Sequence, residues 1–139
     1  PQSLYLEPEN LFVAKFIGSP IINILPVEIA DGMVSDGSFS FPLTRLDAQR
    51  FREELAEGTY YLGLRAEDLL PNASSDVFET EIESVELIGR DRILKFDING
   101  THAQSVVGVE EEFNQGDQLH FDFLGHKAFL FKEDGTRVY

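Results

Sequence analysis

Three histidines, His102, His120 and His126, and several adjacent carboxylates are the residues of this chain with chemistry to offer. Imidazoles could recruit a metal ion, but no H-x-x-x-H spacing or carboxylate pattern surrounds His102 or His120, so no metal site is expected. Neighbouring acids such as Glu67 and Asp68 could serve as general acid and base. In a chain with 25 acidic residues such pairs arise by chance, and a solvated turn is the simpler reading. Phosphate chemistry needs a backbone N–H cradle with a lysine and a hydroxyl, yet no G-x-x-x-x-G-K-[ST] loop occurs. Neither G-x-G-x-x-G nor G-x-S-x-G is present. Cysteine is absent, which excludes disulfides and thiolate metal sites. Asn72-Ala73-Ser74 and Asn99-Gly100-Thr101 match the glycosylation pattern, although the second is better explained as a turn. No catalytic, cofactor-binding or metal-binding residue is assigned, and a binding or regulatory module outranks an enzyme.

Composition narrows the partners further. Acidic residues outnumber basic ones by 25 to 11, a formal net charge of −14. Such a surface repels phosphate backbones and anionic lipid, so nucleic acid is not an expected partner. The charge, including the run Glu110-Glu111-Glu112, serves solubility. No apolar run approaches the roughly 18 to 20 residues that cross a bilayer, and no basic segment followed by a short apolar one marks a signal peptide. With 139 residues, 42% of them hydrophobic, the chain can bury one ordinary core.

The elements follow from periodicity. In "LYLEPENLFVAKFIGSPIIN", Pro8 suits a first helical turn, and Phe12, Val13, Phe16 and Ile17 fall on one face at about 100° per residue. Leu11 adds apolar surface outside that face, and Gly18 supplies the stop. This helix is greasier than a small domain needs, which predicts a large cover. "IINILPVEIA" and "SFSFPL" read as strands around Asp31-Gly32 and Asp36-Gly37. "TRLDAQRFREELAEG" predicts an amphipathic helix over 44–58, with Thr44 and Asp47 as a capping box and Phe51 and Leu55 on its buried stripe. "TYYLGLR" returns to strand before the turn "AEDLLPNASSD".

From Val77 onward the pattern is strand after strand. Leu94, Phe96 and Ile98 alternate with polar residues, and Asn99-Gly100 predicts a hairpin into "THAQSVVGV". Leu119, Phe121 and Phe123 predict another inward row, with His120 outward. Between Ile82 and Val85 the apolar face shifts, predicting a bulge at a barrel corner. The fold class is mainly β with minor α: a small, strongly twisted barrel or folded sheet, with one helix inserted and one N-terminal helix.

The opening stretch resembles the junction in ATP-hydrolysing subunits of bacterial sugar importers, the maltose and multiple-sugar type of ABC transporter. Tyr5, Pro8, Asn10, Phe12, Val13, Ala14, Phe16, Ile17, Gly18, Ser19, Pro20 and Asn23 match that pattern, with Ile22 where methionine is usual. "LGLRAEDL" is similar to the family's "LGIRPEDL": Gly63, Arg65, Glu67 and Asp68 are kept and Ala66 replaces proline. The segments "VELIGRDRILKFDINGTHAQSVVG" and "GDQLHFDFLGHKAFLFKEDGTRVY" resemble the transport-associated OB (TOBE) domain, with Phe129 departing from a His-Leu-Phe ending.

The resemblance implies that residues 1–18 are the last helix of a preceding nucleotide-binding domain and residues 19–139 an OB-like regulatory domain. ATP and magnesium would be bound in that preceding domain. The implied partners are its own ATPase domain, a second copy of the subunit, the transporter's membrane subunits and, in some members, a regulatory protein. The implied location is cytoplasmic, against the inner face of the cell membrane. Phe16, Gly18, Ser19, Pro20 and Asn23 would form the family junction, and Gly63, Arg65, Glu67 and Asp68 a structural or communication turn. A free-standing OB-type module binding a small anion or carbohydrate is the alternative.

Overall fold

In this computed structural model, which describes residues 7–16 and 21–139, alternating apolar and polar residues build eleven strands and one α-helix. The helix, α1 (Leu11–Phe16), precedes β1 (Ile22–Ala30), β2 (Met33–Ser35), β3 (Ser40–Pro42) and β4 (Gly58–Arg65). There follow β5 (Leu70–Pro71), β6 (Phe78–Glu81), β7 (Ser84–Ile88), β8 (Asp91–Ile98), β9 (Thr101–Gly108), β10 (Gln118–Asp122) and β11 (Phe129–Lys132). They form a five-stranded sheet in the order β11-β4-β1-β2-β3 and two three-stranded sheets, β5-β10-β6 and β7-β8-β9. The mainly β reading holds. No helix among the described residues is long and apolar enough to cross a membrane.

Turn chemistry sets the register. Asp31 and Gly32 both adopt positive φ, 53° and 74°, as do Asn99 and Gly100 at 47° and 88°. These dipeptides close the β1–β2 and β8–β9 hairpins, because both central positions of such a turn require the left-handed region. In β8 and β9 the predicted rows meet, with Phe96 opposite Ala103 and Leu94 opposite Ser105.

A single aromatic core lies between the sheets. Phe96 and Phe121 stack at 4.5 Å, Phe39 and Phe78 lie 4.5 Å apart, and Phe41 meets Phe123 at 5.2 Å. β1 sends Leu25, Val27 and Ile29 into this core, while Ile22 and Ile24 face outward. The outer face carries a second cluster of Ala14, Phe129 and Phe131, onto which α1 packs.

Two expectations need correction. The stretch 44–58 is not an α-helix but two 3₁₀ turns, Leu43–Arg45 and Ala48–Arg50, followed by irregular chain. Asp47 caps only one turn, its side chain accepting from the Gln49 N–H at 3.0 Å. Phe51 then turns extended (φ −66°, ψ 129°) and places its ring 4.8 Å from Tyr139. The Arg52 N–H donates to the Val138 carbonyl at 2.9 Å. Distant partners thus outcompete the i→i−4 ladder, and propensity yields to tertiary contact. The second correction concerns Ile82 and Glu83. Instead of a bulge there is a break, where the chain leaves the sheet containing β10 and enters the one containing β8.

The wide apolar side of α1 is not the one that meets the sheet. Leu11 and Ala14 meet the outer cluster, whereas Phe12 and Phe16 are 60% and 72% exposed and lie against each other at 5.2 Å.

Candidate functional site

Of the junction residues, Gly18, Ser19 and Pro20 lie outside the described residues, as do Tyr5 and Ile17. Phe16 is the exposed end of α1. Asn23, by contrast, is 4% exposed and sits on the core face of β1. Its Nδ2 donates to the Leu64 carbonyl at 3.1 Å and to the Gln104 carbonyl at 2.9 Å. Its Oδ1 accepts from the Gln104 N–H at 2.8 Å. The side-chain amide therefore imitates one peptide unit of a strand, joining β1 to β9 where no continuous ladder does. Other single bonds close the seams, from Thr80 Oγ1 to the Asp97 carbonyl (2.8 Å) and from the Glu83 N–H to the Lys95 carbonyl (2.8 Å).

The second motif forms the corner after β4. Gly63 lies under the outer cluster, where an added Cβ would meet Phe131 Cε2 at 3.1 Å and Phe129 Cβ at 3.3 Å. The Arg65 carbonyl accepts from the Asp68 and Leu69 N–H groups at 2.9 and 3.1 Å, closing the turn. Its guanidinium stands 4.0 Å from Asp68 Oδ2 and 4.9 Å from the centroid of the Phe129 ring. Ala66 is buried, its N–H donating to the Ile21 carbonyl and its carbonyl accepting from the Val106 N–H, both at 2.9 Å. Proline has no N–H for the first of these bonds. Alanine in place of the family's usual proline thus adds a tie to the start of β1. Glu67 is exposed, and Asp68 also faces Lys127 at 4.0 Å.

Sequence reasoning missed a cluster of basic side chains around Phe129. Besides Arg65, the Arg137 guanidinium lies 4.9 Å from that ring and Arg50 lies 5.7 Å from it and 4.3 Å from the Tyr139 ring. Arg137, 6% exposed, donates to the Tyr139 and Pro8 carbonyls and to Glu7 Oε1 at 2.6 Å. The Arg137 hydrogen bond holds the Glu7 carboxyl below the usual carboxylate range against partial burial, helped by the charges of Arg137, Arg50 and Arg65. Glu7, Arg50, Arg65 and Phe129 line a groove of about 400 Å³ together with Glu67, Asp68, His126 and Lys127, and Arg137 touches it through Glu7 and Phe129. They are scattered between positions 7 and 137, so no local spacing announces them.

The histidines are dispersed. His120 Nε2 lies 3.7 Å from Glu79, and the His126 carbonyl accepts from Arg50. His102 stands opposite Asp97 in the hairpin. Among the described residues no group of three or more His, Cys, Asp or Glu is placed to hold a metal ion.

No protein-family model matches the chain. Individual proteins do. The Maltose/maltodextrin import ATP-binding protein MalK of Mannheimia succiniciproducens is 31% identical over 146 residues, covering 98% of this chain and 39% of that protein. The protein of the same name from Yersinia pestis is 34% identical over 144 residues, covering 98% and 38%. The chain is homologous to part of the sugar-import ATP-binding subunits. The sn-glycerol-3-phosphate import ATP-binding protein UgpC of Ruegeria pomeroyi is 37% identical over 109 residues, covering 78% of this chain and 28% of that protein. The chain thus spans about two fifths of the length of the maltose-type relatives it matches. The sequence of the chain contains no G-x-x-x-x-G-K-[ST] loop, the pattern that cradles nucleotide phosphates.

Proposed function

We propose that residues 19–139 are the C-terminal regulatory and dimerisation domain, of TOBE type, of an ATP-hydrolysing subunit that energises carbohydrate import. Residues 1–18 would be the last helix of the preceding ATPase domain, where ATP and magnesium bind and hydrolysis occurs. The fragment itself is non-catalytic. Its partners would be that ATPase domain, a second copy of the subunit, the transporter's membrane subunits and a regulatory protein, at the cytoplasmic face of the membrane.

The observation that supports this reading most is the pair of rings on α1. Leu11 and Ala14 already serve the barrel, yet Phe12 and Phe16 present a second apolar side at 60% and 72% exposure. Burying one such side chain is worth about 1.5 to 3 kcal/mol. A helix apolar on both sides fits a position between two bodies, here the barrel and the ATPase domain.

Two measurements test the proposal. Calorimetry of the 139-residue chain with magnesium ATP should show no binding heat, and submillimolar affinity would sink the non-catalytic reading. Without its ATPase domain the chain should also self-associate through α1 or through the barrel surface. Deleting residues 1 to 17 abolishes association in the first case and leaves it intact in the second. Sedimentation as a strict monomer at high concentration would contradict both routes.

A further inference from the structure

The tip of the β8–β9 hairpin carries the one Asn-Gly pair of the chain, Asn99-Gly100. In such a pair the backbone can react with its own side chain, because glycine has no Cβ to hinder the approach of its nitrogen to the preceding Cγ. The Gly100 nitrogen bonds to Asn99 Cγ, the Cγ–Nδ2 bond breaks, and the amide leaves as ammonia with the Gly100 proton. Water then opens the cyclic imide. Opening at Cγ leaves aspartate, and opening at the backbone carbonyl leaves isoaspartate, with the chain rerouted through the side chain. Asn99 and Gly100 are both exposed, so water reaches them.

Two hydrogen bonds engage the groups that must react. The Gly100 N–H donates to Asp97 Oδ2 at 2.7 Å. Attack requires that nitrogen to give up its proton, and a carboxylate bonded to the neutral N–H disfavours the anion. Asn99 Nδ2 donates to the Asp36 carbonyl at 2.9 Å, which directs the side-chain amide toward the turn between β2 and β3. Folding thus opposes a reaction that the dipeptide invites. The bond to Asp36 also ties the β7-β8-β9 sheet to the five-stranded sheet at this end of the molecule.

We propose that Asn99 is a site of spontaneous conversion to aspartate and isoaspartate, held in check by its bond to Asp36 and by Asp97, and that conversion releases the β8–β9 tip from the β2–β3 turn. An ionised aspartate brings no donor to the Asp36 carbonyl and sets its carboxylate against that oxygen. The new charge arises on a chain already at −14, beside a groove of about 540 Å³ whose walls include Glu28 and Asp36. Isoaspartate adds a methylene to the backbone, so the turn cannot close with the φ values of 47° and 88° that Asn99 and Gly100 now hold. Neither product restores the tie, and refolding does not reverse the change. The site concerns residues of this chain alone and stands whether or not the importer reading does.

Ageing the 139-residue chain at mildly alkaline pH tests it, with peptide mapping by mass spectrometry at position 99 and isoaspartate scored by enzymatic methylation. The folded parent should convert at least about tenfold more slowly than the same chain unfolded in guanidinium chloride. Asp97→Ala, which frees the Gly100 N–H, should raise the folded rate at least about fivefold. Asp97→Asn, which keeps an acceptor without the charge, should fall between and serves if alanine unfolds the hairpin. Asp134→Ala, which frees the Thr136 N–H of another turn, should leave the rate at position 99 unchanged. Asn99→Asp should speed amide hydrogen exchange over 36–39 by about two- to tenfold. A circular dichroism melt on each variant establishes that the barrel is folded. Equal rates in the folded and unfolded chains overturn the proposal. So does a folded rate that the Asp97 variants leave unchanged or lower, because the carboxylate would then be no check or would be serving as a base. A rate that Asp134→Ala raises as much has the same force, and unchanged exchange in Asn99→Asp overturns the release of the tip.

Discussion

Replacing Asn23 by alanine should remove the staple between β1 and β9. The amide makes three hydrogen bonds, at 3.1, 2.9 and 2.8 Å, to groups on β4 and β9. A protein hydrogen bond contributes about 1 kcal/mol net, and a buried group left without its partner costs about 1 to 3 kcal/mol. Alanine cannot replace any of the bonds, and it orphans the Gln104 N–H and carbonyl in a site that admits 4% of the residue's surface to solvent. The expected loss is about 2 to 4 kcal/mol, a large share of the roughly 5 to 15 kcal/mol typical of a domain. Urea unfolding followed by circular dichroism reads it directly. With a slope of about 2 kcal/mol/M the midpoint should fall by about 1 to 2 M at unchanged slope. Asn23→Asp is the sharper variant, since it keeps the acceptor for Gln104 but turns two donated bonds into contacts between a carboxylate and carbonyl oxygens. It should be worse than alanine at neutral pH and recover in part on acidification, when a protonated carboxyl can donate again. If Asn23→Ala moved the midpoint by less than about 0.3 M, as for a surface position, the seam between the sheets would not depend on this side chain and the role assigned to the motif would fall.

Gly63→Ala should cost about 1 to 3 kcal/mol, because the new methyl meets Phe131 and Phe129 at 3.1 and 3.3 Å; a urea midpoint equal to the parent's would mean the outer cluster yields freely. Arg65→Ala should lower the thermal midpoint by loosening the corner against Asp68 and Phe129; an unchanged midpoint with transport abolished in the full-length protein would make Arg65 a communication residue instead. The Glu7 carboxyl is held below its ordinary value of 4.5 by the Arg137 hydrogen bond, so its contribution is present above that value and lost as pH falls through the lower, folded-state pKa. The melting difference between parent and Glu7→Gln should accordingly be larger at about pH 7 than at about pH 3, and a difference that grows on acidification would reverse the assignment.

Much of the fold was legible wherever a structural cause is local. Asp31-Gly32 and Asn99-Gly100 place their hairpins because the required positive φ values belong to the dipeptides themselves. The alternation of Leu94, Phe96 and Ile98 marks the buried face of β8 for the same reason. The stretch 44–58 was misread because its helical period is real but its decisive partners, Val138 and Tyr139, lie at the far end of the chain. The site behaves in the same way. Asn23, Gly63 and Arg65 were singled out only through resemblance, and their physical work is done across sequence: Asn23 bonds a residue 81 positions away. Glu7 and Arg137, separated by 130 positions, carried no signal at all.

The helix α1 shows what periodicity leaves open. A stripe of apolar residues says that a helix side is buried, but not against which body. Phe12, Val13, Phe16 and Ile17 form the wider stripe, for which the sequence predicts a large cover, with Leu11 outside it. Leu11 and Ala14 are the residues that pack against Phe129 and Phe131 on β11. Ala14 is 3% exposed there, while the rings of Phe12 and Phe16 stand away from that contact, 5.2 Å from each other. A stripe therefore marks a side that needs cover, and among the described residues the wider apolar side of α1 has none.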